Sequence, residues 1–190
     1  MHRPARLVVL ASGSGSTLQA ILDDPQLRPY VVAAGTDVPD CVAMTRAVAA
    51  GVPTFAVPLS DHPDRAAWNE ALADRIAAEE PDLLVLAGFM RILAPVVVQR
   101  FRIVNTHPAL LPAFPGAHAI RDALAAGADT TGVTVHWVDE GVDTGEVIAQ
   151  VAVPVEPGDD EATLRARVQA AEKPLYLDVL RQLSREAASS

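Results

Sequence analysis

One cysteine, Cys41, occurs in 190 residues. An internal disulfide is therefore excluded, as is any site built from several cysteines. A lone cysteine of this kind reads as a small core or surface residue rather than a nucleophile. No apolar run approaches the roughly 18–20 residues that a membrane span requires. The opening "MHRPARLVVLASGSGS" has basic residues before an apolar run, but "LVVLA" is too short for a signal peptide. The glycines after it suit a strand-to-loop turn, and the expected address is the cytoplasm. Basic charge is scarce: 15 Lys and Arg face 24 Asp and Glu, a formal net charge of −9. That balance argues against broad nucleic-acid binding, which relies on basic surface. Repeats and low-complexity linkers are absent as well. Half the residues are hydrophobic and 21% are charged, the make-up of an ordinary globular protein. A chain of this length is expected to form one domain, residues 1–190.

Strand and helix patterns alternate. "RLVVLA" (6–11), "YVVAAG" (30–35), "PTFAVP" (53–58), "DLLVLAG" (82–88) and "RIVNTH" read as strands. Between them lie helical stretches, including 41–51, ending at Gly51, and 62–80, with Trp68, Leu72 and Ile76 four apart. This rhythm predicts an α/β, Rossmann-like, mostly parallel twisted sheet with helices on both faces. After residue 116 the style changes. A helix, "AHAIRDALAAG", precedes "GVTVHWV" (132–138) and "VIAQVAVPV" (147–155), which suit an antiparallel hairpin. A long helix with a bend near Pro174 closes the chain. Open parallel sheets bind ligands at the carboxyl ends of their strands. Three segments fall there.

The first is "ASGSGSTL". Its glycines permit close backbone approach, and successive amides at a helix start can surround an anion. A dinucleotide site would want a third glycine near Leu18, and a nucleoside-triphosphate loop a lysine; neither is present. The stretch reads as a simple phosphate site, or as a plain turn with Ser16 or Thr17 capping the helix. The second is "GFMRIL" (88–93), either a pocket wall whose backbone pairs with a flat heterocycle or a packed strand-to-helix junction. The third is "VNTHPALLPAFPG" (104–116). Asn105 and His107 are two apart, so on an extended segment they share a side. An amide can donate to a developing oxyanion, and a histidine can exchange protons near neutral pH. Locally satisfied turn histidines are common, so the pair by itself leaves both readings open. Asp143, between Gly141 and Gly145, is either a turn former or a carboxylate that favours the His107 imidazolium. His118 and His136 read as supporting or structural. The three histidines lack a zinc-ligand spacing, so no metal is expected.

Taken together, "VVLASGSGSTLQAI", "DLLVLAGFMRIL", "VNTHPALLPAFPGAHA", "GVTVHWVDEGVDTGEVI" and "VQAAEKPLY" resemble the folate-dependent formyltransferase family, in the family's order, from about Arg6 to Leu183. The first loop and "FPG" resemble the branch that formylates glycinamide ribonucleotide in purine biosynthesis. The resemblance implies 10-formyltetrahydrofolate as co-substrate, two small-molecule substrates, and no metal. It implies His107 as general acid and base, Asn105 as the formyl-oxygen donor that also touches folate, and Asp143 as the group that keeps His107 protonated and orders water. Gly15, Ser16 and Thr17 match the nucleotide-phosphate segment, with Gln169 and Glu172 near the same substrate. Arg65, Met90, Arg91, Ile92 and Leu93 match the folate-binding set. Two positions depart from the pattern: Asp37 and Thr17 stand where the family is expected to carry Asn.

Rival readings remain within and outside the family. Methionyl-tRNA formyltransferases resemble this chain plus a basic tRNA-binding domain, and formyltetrahydrofolate hydrolases carry an N-terminal regulatory domain. The acidic charge and the start at the first strand favour neither. A silent nucleotide- or folate-binding module would be expected to lose His107 or Asp143, and both are present. A homodimer is compatible with the sequence, though no heptad marks its surface.

Overall fold

The computed structural model describes residues 3–189. Seven strands form one hydrogen-bonded sheet in the order β3-β2-β1-β4-β5-β6-β7. In chain order they are β1 (Leu7–Leu10), β2 (Val31–Thr36), β3 (Thr54–Ala56), β4 (Leu83–Leu86), β5 (Ile103–His107), β6 (Thr130–Trp137) and β7 (Val147–Pro154). Among the described residues six α-helices accompany them: α1 (Ser16–Asp23), α2 (Val42–Ala49), α3 (Arg65–Ala77), α4 (Pro95–Val98), α5 (Ala119–Ala125) and α6 (Glu161–Ala188). The expected strands and helices are all present, and the fold is the α/β arrangement read from the sequence. Among the described residues, no helix is long and apolar enough to cross a membrane.

The chain divides into two compact units, Met1–Val104 with Leu180–Ser190, and Asn105–Val179. In the first, β1 pairs in parallel with β2 and β4, β2 with β3, and β4 with the start of β5. Every residue of β1 and β4 is buried, which explains their uninterrupted Leu/Val runs. Trp68 is fully buried on α3, and its indole N–H donates to the Val57 carbonyl at 2.7 Å, so its one polar atom is satisfied. Helix α3 is shorter than the expected 62–80. Asp64 accepts from the Ala67 N–H at 2.8 Å and so starts the helix at Arg65, while the chain turns out of it at Glu80, with φ 49°.

In the second unit β6 and β7 form the expected antiparallel hairpin, Thr130 opposite Pro154 through His136 opposite Val147. Ile120 of α5, Val133, Val153, and Leu164 and Val168 of α6 make its core. Gly132 is required where it stands: a Cβ there would lie 2.2 Å from the Val151 carbonyl and 2.5 Å from the Leu110 side chain. Helix α6 runs through Pro174 as one element and carries the chain back into the first unit at Leu180.

Candidate active site

In the second unit the sequence "NTHP" ends β5, and its exit is pinned by side chains of the hairpin. The Thr134 hydroxyl accepts from the Leu111 N–H at 3.0 Å and donates to the Ala109 carbonyl at 2.7 Å. Gln150 donates to the Leu111 carbonyl at 2.9 Å and to the Thr134 hydroxyl at 2.8 Å. The buried backbone after Pro108 is therefore satisfied by two residues of β6 and β7. The prolines alone do not hold it. Neither Thr134 nor Gln150 stood out in the sequence, because both read as ordinary alternating polar positions of a hairpin.

His107 is 4% exposed. Its Nε2 lies 2.7 Å from the Phe114 carbonyl oxygen, and its Nδ1 lies 3.4 Å from Asp143 Oδ2. A carbonyl oxygen can only accept, so the Nε2 contact requires a hydrogen on that nitrogen. A carboxylate also only accepts, so Asp143 is best met by a hydrogen on Nδ1. Asp143 Oδ2 additionally accepts from the Gly116 N–H at 2.8 Å, which fixes the carboxylate.

The loop that delivers Asp143 is shaped by its neighbours. Asp139 Oδ1 accepts from the Gly141 N–H at 3.0 Å and from the Thr144 hydroxyl at 2.6 Å. Asp143 itself has φ 55°, a left-handed conformation that Asp tolerates better than most residues. Gly145 packs its backbone against Trp137, where a Cβ would fall 1.7 Å from the carbonyl oxygen. Asp143 therefore joins His107 across 36 positions of sequence, the pairing that spacing alone left open.

His136, 2% exposed on β6, directs Nδ1 to the Trp137 carbonyl at 2.9 Å, and its Nε2 lies 3.8 Å from Asp143 Oδ1. That buried Nε2 has no hydrogen-bond partner. His118 is different: it lies exposed at the start of α5, without a side-chain capping bond. Asn105 is half-buried, two residues before His107 on the same strand. Gln169 and Glu172 are three apart on α6, neighbours on one helix face, Gln169 exposed and Glu172 half-buried.

In the first unit, Gly15 is the N-cap of α1, with φ 72° and no side-chain capping bond. This decides one alternative: neither Ser16 nor Thr17 is the helix cap. Gly15 is also set by packing, since a Cβ there would lie 2.5 Å from Ala43 Cα. The Ala43 N–H donates to the Gly13 carbonyl at 3.0 Å and Arg46 Nε to the Ser14 carbonyl at 2.8 Å. The loop's carbonyls are thus drawn toward α2. No acidic residue lies in the first turn of α1, which leaves the positive helix end suited to an anion.

Met90, Arg91, Ile92 and Leu93 follow β4. Met90 and Ile92 are 76% and 64% exposed, whereas Leu93 is buried. Arg65 donates to the Ile92 carbonyl at 2.6 Å and lies over the Trp68 ring, which ties it to this segment. The backbone of 90–93 is less available than expected, however. The Met90 N–H already donates to the Ser12 hydroxyl at 3.0 Å, and one lone pair of the Ile92 carbonyl is taken by Arg65. Ser12 was not singled out in the sequence, and Asp37 only as a departure from the family pattern. Among the described residues, no group of three or more His, Cys, Asp or Glu side chains could hold a metal ion.

The chain is similar to proteins of known name. A formyl transferase family model matches residues 5–180. Phosphoribosylglycinamide formyltransferase of Mycobacterium tuberculosis (strain H37Rv) is 54% identical over 185 residues, 95% of this chain and 86% of that protein. The Escherichia coli protein of the same name is 42% identical over 175 residues, 90% of this chain and 82% of that one. Among solved structures, glycinamide ribonucleotide transformylase 1 from Symbiobacterium toebii superposes with a TM-score of 0.91 at 41% identity, covering 96% of this chain and 89% of that one. By its family match, its relatives and its fold, this chain belongs to the formyl transferase family of enzymes.

Proposed function

We propose that the chain, acting as one formyltransferase domain, moves the formyl group of 10-formyltetrahydrofolate onto the amine of glycinamide ribonucleotide in purine biosynthesis. The observation that carries this reading is the His107–Asp143 pair, with His107 Nε2–H held on a carbonyl oxygen. An acyl transfer needs such a donor at the oxygen that becomes negative.

The reaction balances without a covalent enzyme intermediate. The nucleotide amine attacks the formyl carbon, and the carbonyl π electrons move onto the formyl oxygen. Asn105 and the His107 Nε2–H donate to that oxygen, which replaces the Phe114 carbonyl as acceptor. The tetrahedral intermediate collapses by re-forming the carbonyl and breaking the carbon–N10 bond. His107 gives a proton to N10, and water ordered by Asp143 takes one from the former amine and returns it to the imidazole. Asp143 stays ionised and offsets the imidazolium charge.

Binding is assigned to backbone and cation contacts. The first turn of α1, with Gly15, Ser16 and Thr17, takes the phosphate, and Gln169 and Glu172 contact the rest of the nucleotide. The pterin lies against the 90–93 segment, with Asn105 near the formyl group. The exposed Met90 and Ile92 are apolar surface that a flat heterocycle would cover. Arg65, fixed on Ile92 and Trp68, offers its charge to the acidic tail of folate.

The test is a formyl-transfer assay with purified protein and 10-formyltetrahydrofolate, offering glycinamide ribonucleotide, methionyl-tRNA and water as competing acceptors. Formylated glycinamide ribonucleotide as the dominant product is the expected result. Dominant hydrolysis, or formylation of the tRNA, would reject this reading in favour of the rival activity.

A further inference from the structure

Asp37 is the first residue after β2, and its side chain is 2% exposed. A buried carboxylate is costly unless it is paired and hydrogen-bonded. Its two oxygens reach different loops. Oδ1 accepts from the Ser12 hydroxyl at 2.6 Å, and Oδ2 accepts from Arg91 Nε at 2.7 Å. Ser12 completes the connection: its N–H donates to the Gly88 carbonyl at 3.1 Å, and its hydroxyl accepts from the Met90 N–H at 3.0 Å. Ser12 and Asp37 therefore hold Gly88, Met90 and Arg91 at three points. The same Ser12 opens the glycine loop that leads to Gly15.

The segment held in this way has little packing of its own. Met90 and Ile92 are exposed, and the Arg91 side chain is 37% exposed. Hydrogen bonds and the ion pair set its path where apolar contacts do not. Asn, expected by resemblance at position 37, can accept from Ser12 but cannot neutralise Arg91. Here the carboxylate does both.

We propose that Asp37 is a positioning residue for the formyl donor, acting through Arg91 and Ser12 to fix the backbone of residues 88–91 in its folate-binding path. This rests on the reading that the 90–93 segment binds folate. Asp37→Asn keeps an acceptor for Ser12 and loses the ion pair. It is expected to raise the KM for 10-formyltetrahydrofolate, and the Kd for tetrahydrofolate measured by calorimetry, about tenfold. The KM for glycinamide ribonucleotide should move by less than about twofold, because the first loop keeps its own contacts with α2.

Arg91→Gln, which removes the other half of the ion pair, is expected to weaken folate binding too. Adding Asp37→Asn to it should cost nothing more, since Asp37 acts through Arg91. An unchanged folate Kd in Asp37→Asn would overturn the proposal, as would equal rises in both KM values or full additivity in the double variant. If the unaltered protein binds tetrahydrofolate but formylates no glycinamide ribonucleotide, the functional reading fails on its own, and the Kd comparison still decides the role of Asp37.

Discussion

At the scale of single residues, the proposed chemistry rests on His107 and the two acceptors beside its ring. In the proposed mechanism, removing the ring removes an oxyanion donor and the acid together. His107→Ala is expected to lower kcat by at least about 10²–10³-fold. Asp143→Asn should have a smaller effect, since the imidazole keeps its place but loses its charge partner. Steady-state kinetics beside a thermal melt check both, and full turnover by folded His107→Ala protein would sink the mechanism. The sequence made Asn105 and His107 readable as a pair through their spacing on an extended strand. It could not make Asp143 readable as their partner, because a carboxylate between glycines is most often a turn former. Its left-handed backbone, the bonds of Asp139 and the close approach of Gly145 to Trp137 carry it to His107.

At the scale of elements, the loop before α1 and the exit of β5 depend on positions whose role is steric or polar rather than chemical. Gly15→Ala would place a Cβ against Ala43 at a φ of 72°. We expect a stability loss of about 1–3 kcal/mol and a raised KM for the nucleotide. Urea denaturation and initial rates test this, and a variant unchanged in both would contradict the packing of the loop on α2. Thr134→Val keeps the shape of the side chain but strips the Leu111 N–H and the Ala109 carbonyl of their partner. The expected cost is about 1–3 kcal/mol, seen as a lower urea midpoint at unchanged slope. An unshifted midpoint would show that the exit of β5 is held by other means. Element existence and order were readable from periodicity, because buried parallel strands write themselves as Leu/Val runs. Boundaries were not: α3 begins at Arg65 because Asp64 caps it, a local bond that periodicity does not contain.

At the scale of the whole molecule, the acidic chain is held partly by ion pairs that join distant sequence. Asp24 and Arg181 are 157 residues apart and bond through two guanidinium nitrogens. Burial works against the Asp24 carboxylate, but the Arg181 bonds and the N–H groups of Gln26 and Leu27 outweigh it and hold it below the usual carboxylate range. Asp159 is likewise held low, chiefly by Arg167 and the Glu156 N–H. A lowered folded-state pKa means that the unfolded chain takes up these protons first. The stabilisation is complete above the unfolded value of about 3.9 and is lost as pH falls through the folded value. Arg181→Gln should therefore cost about 1–3 kcal/mol at neutral pH, and the difference should shrink as pH falls below the usual carboxylate range and Asp24 protonates. Melting temperatures across that range test it; a constant gap between the two proteins would refute the linkage. The sequence by itself determined the α/β class, the order of the elements, the strand-end segments and the Asn105–His107 pair, since each follows from local periodicity, turn chemistry or a contiguous motif. Only the tertiary structure decided that Asp143 reaches His107, that Thr134 and Gln150 pin the exit of β5, and that Asp37 joins Ser12 to Arg91. Those contacts are made by side chains far apart in sequence, and strand register and loop closure, rather than residue type, bring them within hydrogen-bond or ion-pair distance.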